Sequence, residues 1–305
     1  MKETPQNKRL VLAILAVVVG MFMIAVAPYI IQISMERVVA SLIEVSKEKP
    51  QYASGVLLFS FAYPFYRGLF FIGGVALILF AGPIYKGEEW TYPASLLASA
   101  FPSAGGMFMF LPYVSWVEGF PIPMVISWVG LAFFWTMILI RDVDNWLKWG
   151  HFLSLTFMGM LTTHAFVVGI GNFRMLMTRP EKPLYAGLEW WVLSWSAPVQ
   201  WICVILLFIG IYLLASRKIS GWWLGLIAGA SILVMDAPTQ VIRSTMTDTT
   251  SLDYLYGTLL SIGLLFSLLF PKFRQALVPE TQESQAASDN KAAPSTPAAT
   301  GIPMA

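Results

Sequence analysis

Apolar residues arrive in blocks near the length of a membrane span, and polar residues sit between them. The blocks run over 10–35, 55–85, 90–117, 121–140, 149–172, 189–215, 219–242 and 253–270. A bilayer core about 30 Å thick needs about 20 apolar residues in a helix that rises 1.5 Å per residue. The pattern therefore predicts an all-α, polytopic bundle of about eight transmembrane helices. A polar segment over 1–9 precedes the bundle of 10–275. Residues 276–305, rich in Ala, Ser, Thr, Pro, Gln and Asn, are expected to form a disordered tail because they bury too little to order themselves. The start of the first block resembles a signal peptide, with Ala25-Val26-Ala27 as a small-x-small step. Pro28 and a largely apolar run through Ile33 favour an uncleaved span.

Individual blocks carry further expectations. Glu36 to Ser54 reads as a charged connection. Residues 55–85 exceed one span, so either the helix is long and tilted or 55–63 lies on the surface. Pro93, Pro102, Gly105-Gly106 and Pro112 predict a bent or broken third span.

The seventh block is the most informative. Stepped at 100° per residue, Gly221, Gly225, Gly229, Ile232, Asp236, Thr239, Gln240 and Arg243 share about a third of the circumference. Trp223, Ile227, Val234 and Val241 fall outside it. Glycines four apart permit close helix contact in lipid. An Asp in such a helix must face a partner or water. Pro238 follows two residues later. It predicts a kink, or a discontinuous helix of the kind that forms binding sites in transporters.

Charge then sets orientation. Lysine and arginine number eleven on the side that holds both termini against seven on the other, Arg67 being inside a span. That bias predicts cytoplasmic termini in a multi-pass protein of the cell membrane. Depths follow at about 1.5 Å per residue: Asp236 lies about 25 Å and His164 about 20 Å from the cytoplasmic side. Arg67 and Gln200 also fall in the outer half. Asp236, His164, Arg67, Gln240, Thr239 and Gln200 are thus the candidate solute- or proton-binding residues. Asp236 has a bland alternative, a structural pair with Arg67 or Arg243. Arg67 has another, snorkelling to the interface.

Composition narrows the chemistry. The net charge of +2 does not suggest nucleic acid. The one cysteine, Cys203, reads as a core residue. No metal site is evident. His151 and His164, thirteen apart on one helix, point about 220° apart and lie about 20 Å from each other, so they cannot ligate one iron. No phosphate-binding glycine loop, Asp-rich prenyl-diphosphate motif or serine elbow is present. Three functions remain. One is a transporter or permease for a small solute or ion: Asp236 binds a proton or cation, Gln240, Thr239 and His164 line the cavity, Arg67 meets an anion, and the Pro/Gly sites allow rocking. Another is a quinone-binding membrane subunit of an electron-transfer complex, which needs partner subunits. The last is a structural or assembly subunit, or a lipid-modifying enzyme. No cofactor is evident beyond the quinone of the second reading.

Overall fold

The computed structural model describes residues 4–178, 187–246 and 252–278. Arg179, Lys182, Lys2 and nearly all of the proposed tail lie outside the described residues. Among those described, there are helices and no strands. They are α1 (Gln6–Met21), a π turn (Phe22–Val26), α2 (Ala27–Glu48), a 3₁₀ turn (Pro50–Tyr52), α3 (Ala53–Lys86), α4 (Thr91–Trp116) and α5 (Pro123–Leu139). Then follow α6 (Asn145–Thr178), α7 (Leu188–Ala215), α8 (Ile219–Met246), α9 (Asp253–Leu269) and α10 (Pro271–Leu277). Six of the helical units are long and apolar enough to cross a membrane, and α9 with α10, bent by 71°, makes a seventh if counted as one. Helix α5 is apolar but has only 17 residues. The set fits a multi-pass membrane bundle.

Several local expectations change. The first apolar block and the charged stretch after it form one helical unit of 43 residues, Gln6–Glu48, so Glu36 onward is helix rather than connection. Pro28 has no N–H to offer the carbonyl four residues back, and the π turn immediately upstream absorbs that missing bond without ending the helix. Residues 55–85 lie in a single helix of 34 residues. Helix α4 is unbroken despite Pro102 and Pro112, and α8 is unbroken despite Pro238. Residues 276 and 277, assigned to the tail from composition, belong to α10, and Leu277 is fully buried near Gly150; the rest of the proposed tail from 279 lies outside the described residues.

Packing divides the bundle. Helix α6 packs on α7, α7 on α8, α8 on α9, and α9 back on α6, which closes a ring of four. Helices α1 to α5 form the other side, and α4 touches both α6 and α7. An aromatic column joins the halves: Tyr66 on α3 and Phe108 on α4 pack edge-on against Phe166 on α6 at 5.0 and 4.9 Å, and Phe166 meets Trp201 on α7 at 5.0 Å. Two glycines bring α1 and α3 together. A Cβ on Gly20 would lie 2.7 Å from the Gly74 carbonyl, and one on Gly74 would lie 2.8 Å from the Gly20 carbonyl.

Polar contacts define the two ends. At one, Lys8 bonds Asp142 at 2.6 Å and the Arg9 guanidinium donates to the Lys86 carbonyl at 3.0 Å. At the other, Arg37 donates to the Tyr113 hydroxyl at 2.7 Å above a small core of Val38, Leu42 and Tyr113. The units Gln6–Glu48 and α3 measure about 64 and 51 Å at 1.5 Å per residue, well beyond a core of about 30 Å. Their shared hairpin packs against the end of α4 at this second end, with the Tyr52 and Trp116 ring centroids 5.1 Å apart.

Gly74→Leu should force α1 and α3 apart and lower stability by about 1–3 kcal/mol, as overpacking does. Gly68→Ala, with nothing within 4 Å of its new methyl, should leave stability unchanged or slightly raised. Thermal unfolding in mild detergent measures both.

Candidate functional site

Helix α8 separates its two faces as the residue pattern predicts. Val234, Val241, Trp223 and Ile227 are exposed, while Ile232, Asp236 and Thr239 are buried. The glycine run lies against neighbours: Gly221 meets the Leu214 backbone of α7, and Gly225 and Gly229 meet Leu268 and Leu264 of α9. This close fit draws the helix into the ring and carries Asp236 to its centre.

One residue from each of the four helices meets there. Asp236 has no exposed surface. Its Oδ1 accepts a hydrogen bond from Gln200 Nε2 on α7 at 2.6 Å. Its Oδ2 lies 3.4 Å from His164 Nε2 on α6. On α9 the facing residue is Gly257, whose missing side chain leaves room for the pair: a Cβ there would overlap both Asp236 Oδ2 and His164 Nε2. Neither of those two atoms has a hydrogen bond among the described residues. A carboxylate is expensive to bury unless it is paired, and the protein groups that meet this one are a neutral amide donor and an imidazole.

Neither arginine takes part. Arg67 donates from Nη2 to Gln32 Oε1 on α2 at 2.9 Å. Arg243 lies with its Nε 3.7 Å from Glu189 on α7. The alternative of an Asp236–arginine pair is therefore not what the structure shows. Thr239 turns its hydroxyl back to the Met235 carbonyl at 2.6 Å, a local bond that consumes its donor. Gln240 accepts from the Leu255 N–H at the start of α9 and donates to Ser244, each at 2.9 Å. Of the six candidates, Asp236, His164 and Gln200 converge. Thr239 and Gln240 serve the helices' own backbones and termini, and Arg67 belongs to another part of the bundle.

A second polar layer lies toward the Arg243 end of the ring. The Tyr254 hydroxyl donates to Asn172 Oδ1 at 2.6 Å, and Asn172 Nδ2 donates to Ser196 at 2.9 Å. All three side chains are buried. The Arg243 guanidinium stands 5.6 Å from the Tyr254 ring centroid. The sequence contains no signal that singles out Gly257, Asn172, Ser196 or Tyr254, since each acts only through residues on other helices.

Outside the ring, a cleft of about 700 Å³ opens between α4, α5, α6 and α9. Its walls are largely apolar, including Met107, Leu131, Phe134, Phe157 and Val167. Met160, Tyr256 and Leu259 at its rim are exposed, so the cleft opens sideways. His164 lines it with 11% of its side chain exposed, and its Nδ1 has no hydrogen bond among the described residues. One histidine thus faces an apolar cleft and a buried carboxylate together. The other, His151, is buried 3.3 Å from both the Tyr92 hydroxyl and the Leu214 carbonyl. Arg141 sits 3.9 Å over the same tyrosine ring. No group of three or more metal-ligating side chains occurs among the described residues.

Gly257→Ala should separate Asp236 from His164 and cost about 1–3 kcal/mol, whereas Gly171→Ala, with open space around its new methyl, should not. Gln200→Leu should strip Asp236 of its donor and cost about 1–3 kcal/mol. Denaturation midpoints of the three variants in detergent check both statements. Comparison with protein-family models, with curated proteins and with solved structures gives no match, so the chemistry of this site is read from its geometry.

Proposed function

We propose that the protein is a membrane subunit that binds a quinone or quinol in the lateral cleft. The observation that carries this reading is the place of His164, one edge in an apolar cleft and the other against the buried Asp236. A lipid-soluble ring with a long apolar tail suits a cleft that opens sideways. Its wall residues run from Leu155 to Val168 on α6, about 20 Å at 1.5 Å per residue. His164 Nδ1 would bond one ring oxygen, with Phe134, Phe157 and Tyr256 against the ring and tail.

In quinol oxidation two electrons and two protons leave the ring. His164 would accept one hydroxyl proton at Nδ1, with Asp236 stabilising the imidazolium through Nε2, and the second proton would follow to the same atom once the first has left the pair. Gln200 would hold the carboxylate in place. The electrons would pass to a redox centre on a partner subunit. The finer topology belongs to the same proposal: α5 and α9 complete eight crossings, both termini face the cytoplasm, and the Arg243 end of the ring faces outward. The lysine and arginine bias of eleven to seven supports that orientation.

A solute carrier is the rival reading. It would favour a hydrated chamber and an opened helix, whereas the cleft is apolar and α8 runs unbroken past Pro238. Titration of the delipidated protein with a short-tailed quinone, followed by calorimetry, separates the two. His164→Ala should weaken binding at least tenfold, about 1.4 kcal/mol. Equal affinity in that variant, or equally tight binding of a fatty acyl chain without a ring, overturns the quinone reading. Solute uptake in proteoliposomes that Asp236→Asn abolishes would establish the carrier instead.

A further inference from the structure

The interior of the α6–α9 ring differs on the two sides of Asp236. Toward the Arg243 end a hydrogen-bonded polar chain of Ser196, Asn172 and Tyr254, with Gln200 beside Asp236, runs between the buried apolar side chains of Val168 and Leu193, and the Glu189–Arg243 pair, whose side chains are 21% and 15% exposed, lies beyond it. Tyr254 is one turn from Gly257 on α9, so the phenol follows the pair along the same helix face. Toward the Ile219 end the ring is filled by Met158, Leu161, Leu207, Ala228, Ile232 and Leu264, all fully buried. Ser261 and the Ser154–Ser267 bond are isolated within that apolar section. Asp236 lies 17 residues from Ile219, about 25 Å of helix.

From this asymmetry we infer that the Asp236–His164 pair exchanges protons with one face of the membrane only, the face that bears Glu189 and Arg243, through Tyr254. Asp236 Oδ2 and His164 Nε2 face each other at 3.4 Å, neither with a hydrogen bond among the described residues, so a small approach of the two side chains suffices to pass a proton between them. The Tyr254 hydroxyl can both donate and accept, it interacts electrostatically with Asp236, and the Arg243 guanidinium beside its ring is 3.7 Å from the Glu189 carboxylate. A proton leaving Asp236 passes to the tyrosine oxygen as the tyrosine gives up its own toward Glu189, so Tyr254 ends with the one proton it began with, Asp236 has lost one and Glu189 has gained it. In the other section the polar groups are separate: Thr162 and Cys203 turn to the Met158 and Ala228 carbonyls, Ser154 and Ser267 bond each other, no hydrogen-bonded chain joins them to the pair among the described residues, and hydrocarbon is a poor medium for a charge. Ionisable groups facing the pair from the packed helices are Cys203 and Glu189 on α7, Arg243 on α8, and Asp253 and Tyr254 on α9. The site is the one proposed to bind quinone, but the inference needs no ligand.

The test uses the full-length protein, free of quinone, inserted in one orientation in sealed vesicles. The pH is stepped on one side while the other is held by buffer, and the carboxyl bands of Asp236 are followed by infrared difference spectroscopy, assigned with Asp236→Asn. The bands should follow pH on the Glu189–Arg243 side alone. Tyr254→Phe should slow that response at least tenfold without changing its final size. A response to the opposite side, to both sides alike or to neither overturns the inference, as does an unchanged rate in Tyr254→Phe. Failure of quinone to bind, with this one-sided response intact, would remove only the ligand reading.

Discussion

A fully buried aspartate in an apolar bundle is the constraint around which the C-terminal ring is built. Asp236 is completely buried, and no arginine or lysine contacts it among the described residues. Each of the three other helices answers it differently: α7 with an amide, α6 with an imidazole, α9 with the absence of a side chain. The glycines of α8 belong to the same solution. Close packing against α7 and α9 leaves the aspartate little freedom to swing toward lipid or solvent. The rest of the molecule holds this ring from one side through the aromatic column, which ties α3 and α4 to α6 and α7.

Most of the architecture was legible in the residues because a bilayer leaves few choices. Backbone groups must be satisfied within each segment, so apolar blocks become helices, and the wheel of α8 was correct in both its faces. Asp236, His164 and Gln200 were found for a related reason: polar groups at similar depth on neighbouring spans have few other places to go. What could not be read was lateral arrangement. Arg67 shares that depth, yet a glutamine on α2 takes it. Gly257 has no distinguishing mark in its own segment and acquires its role only when α8 and α6 close over it.

Proline did not mark helix ends. Pro102, Pro112 and Pro238 suggested bends or breaks, and at none of them, nor at Pro28, does the helix stop. A proline withdraws one donor and crowds one turn, and a long helix held on several sides tolerates that. At Pro28 the adjustment is visible as a π turn. This matters for mechanism, since an unbroken α8 presents no opened backbone beside Asp236, and side chains must supply the site's chemistry.

The helical unit from Gln6 to Glu48 has a mechanical consequence. It runs from the end fixed by Lys8 and Arg9 to the hairpin held against α4, and it packs on α3 through both α1 and α2. Two long rods joined along their length behave as one stiff beam. A sideways load on the hairpin would therefore be carried by the pair together to the junction where α1, α3 and the end of α5 are tied together.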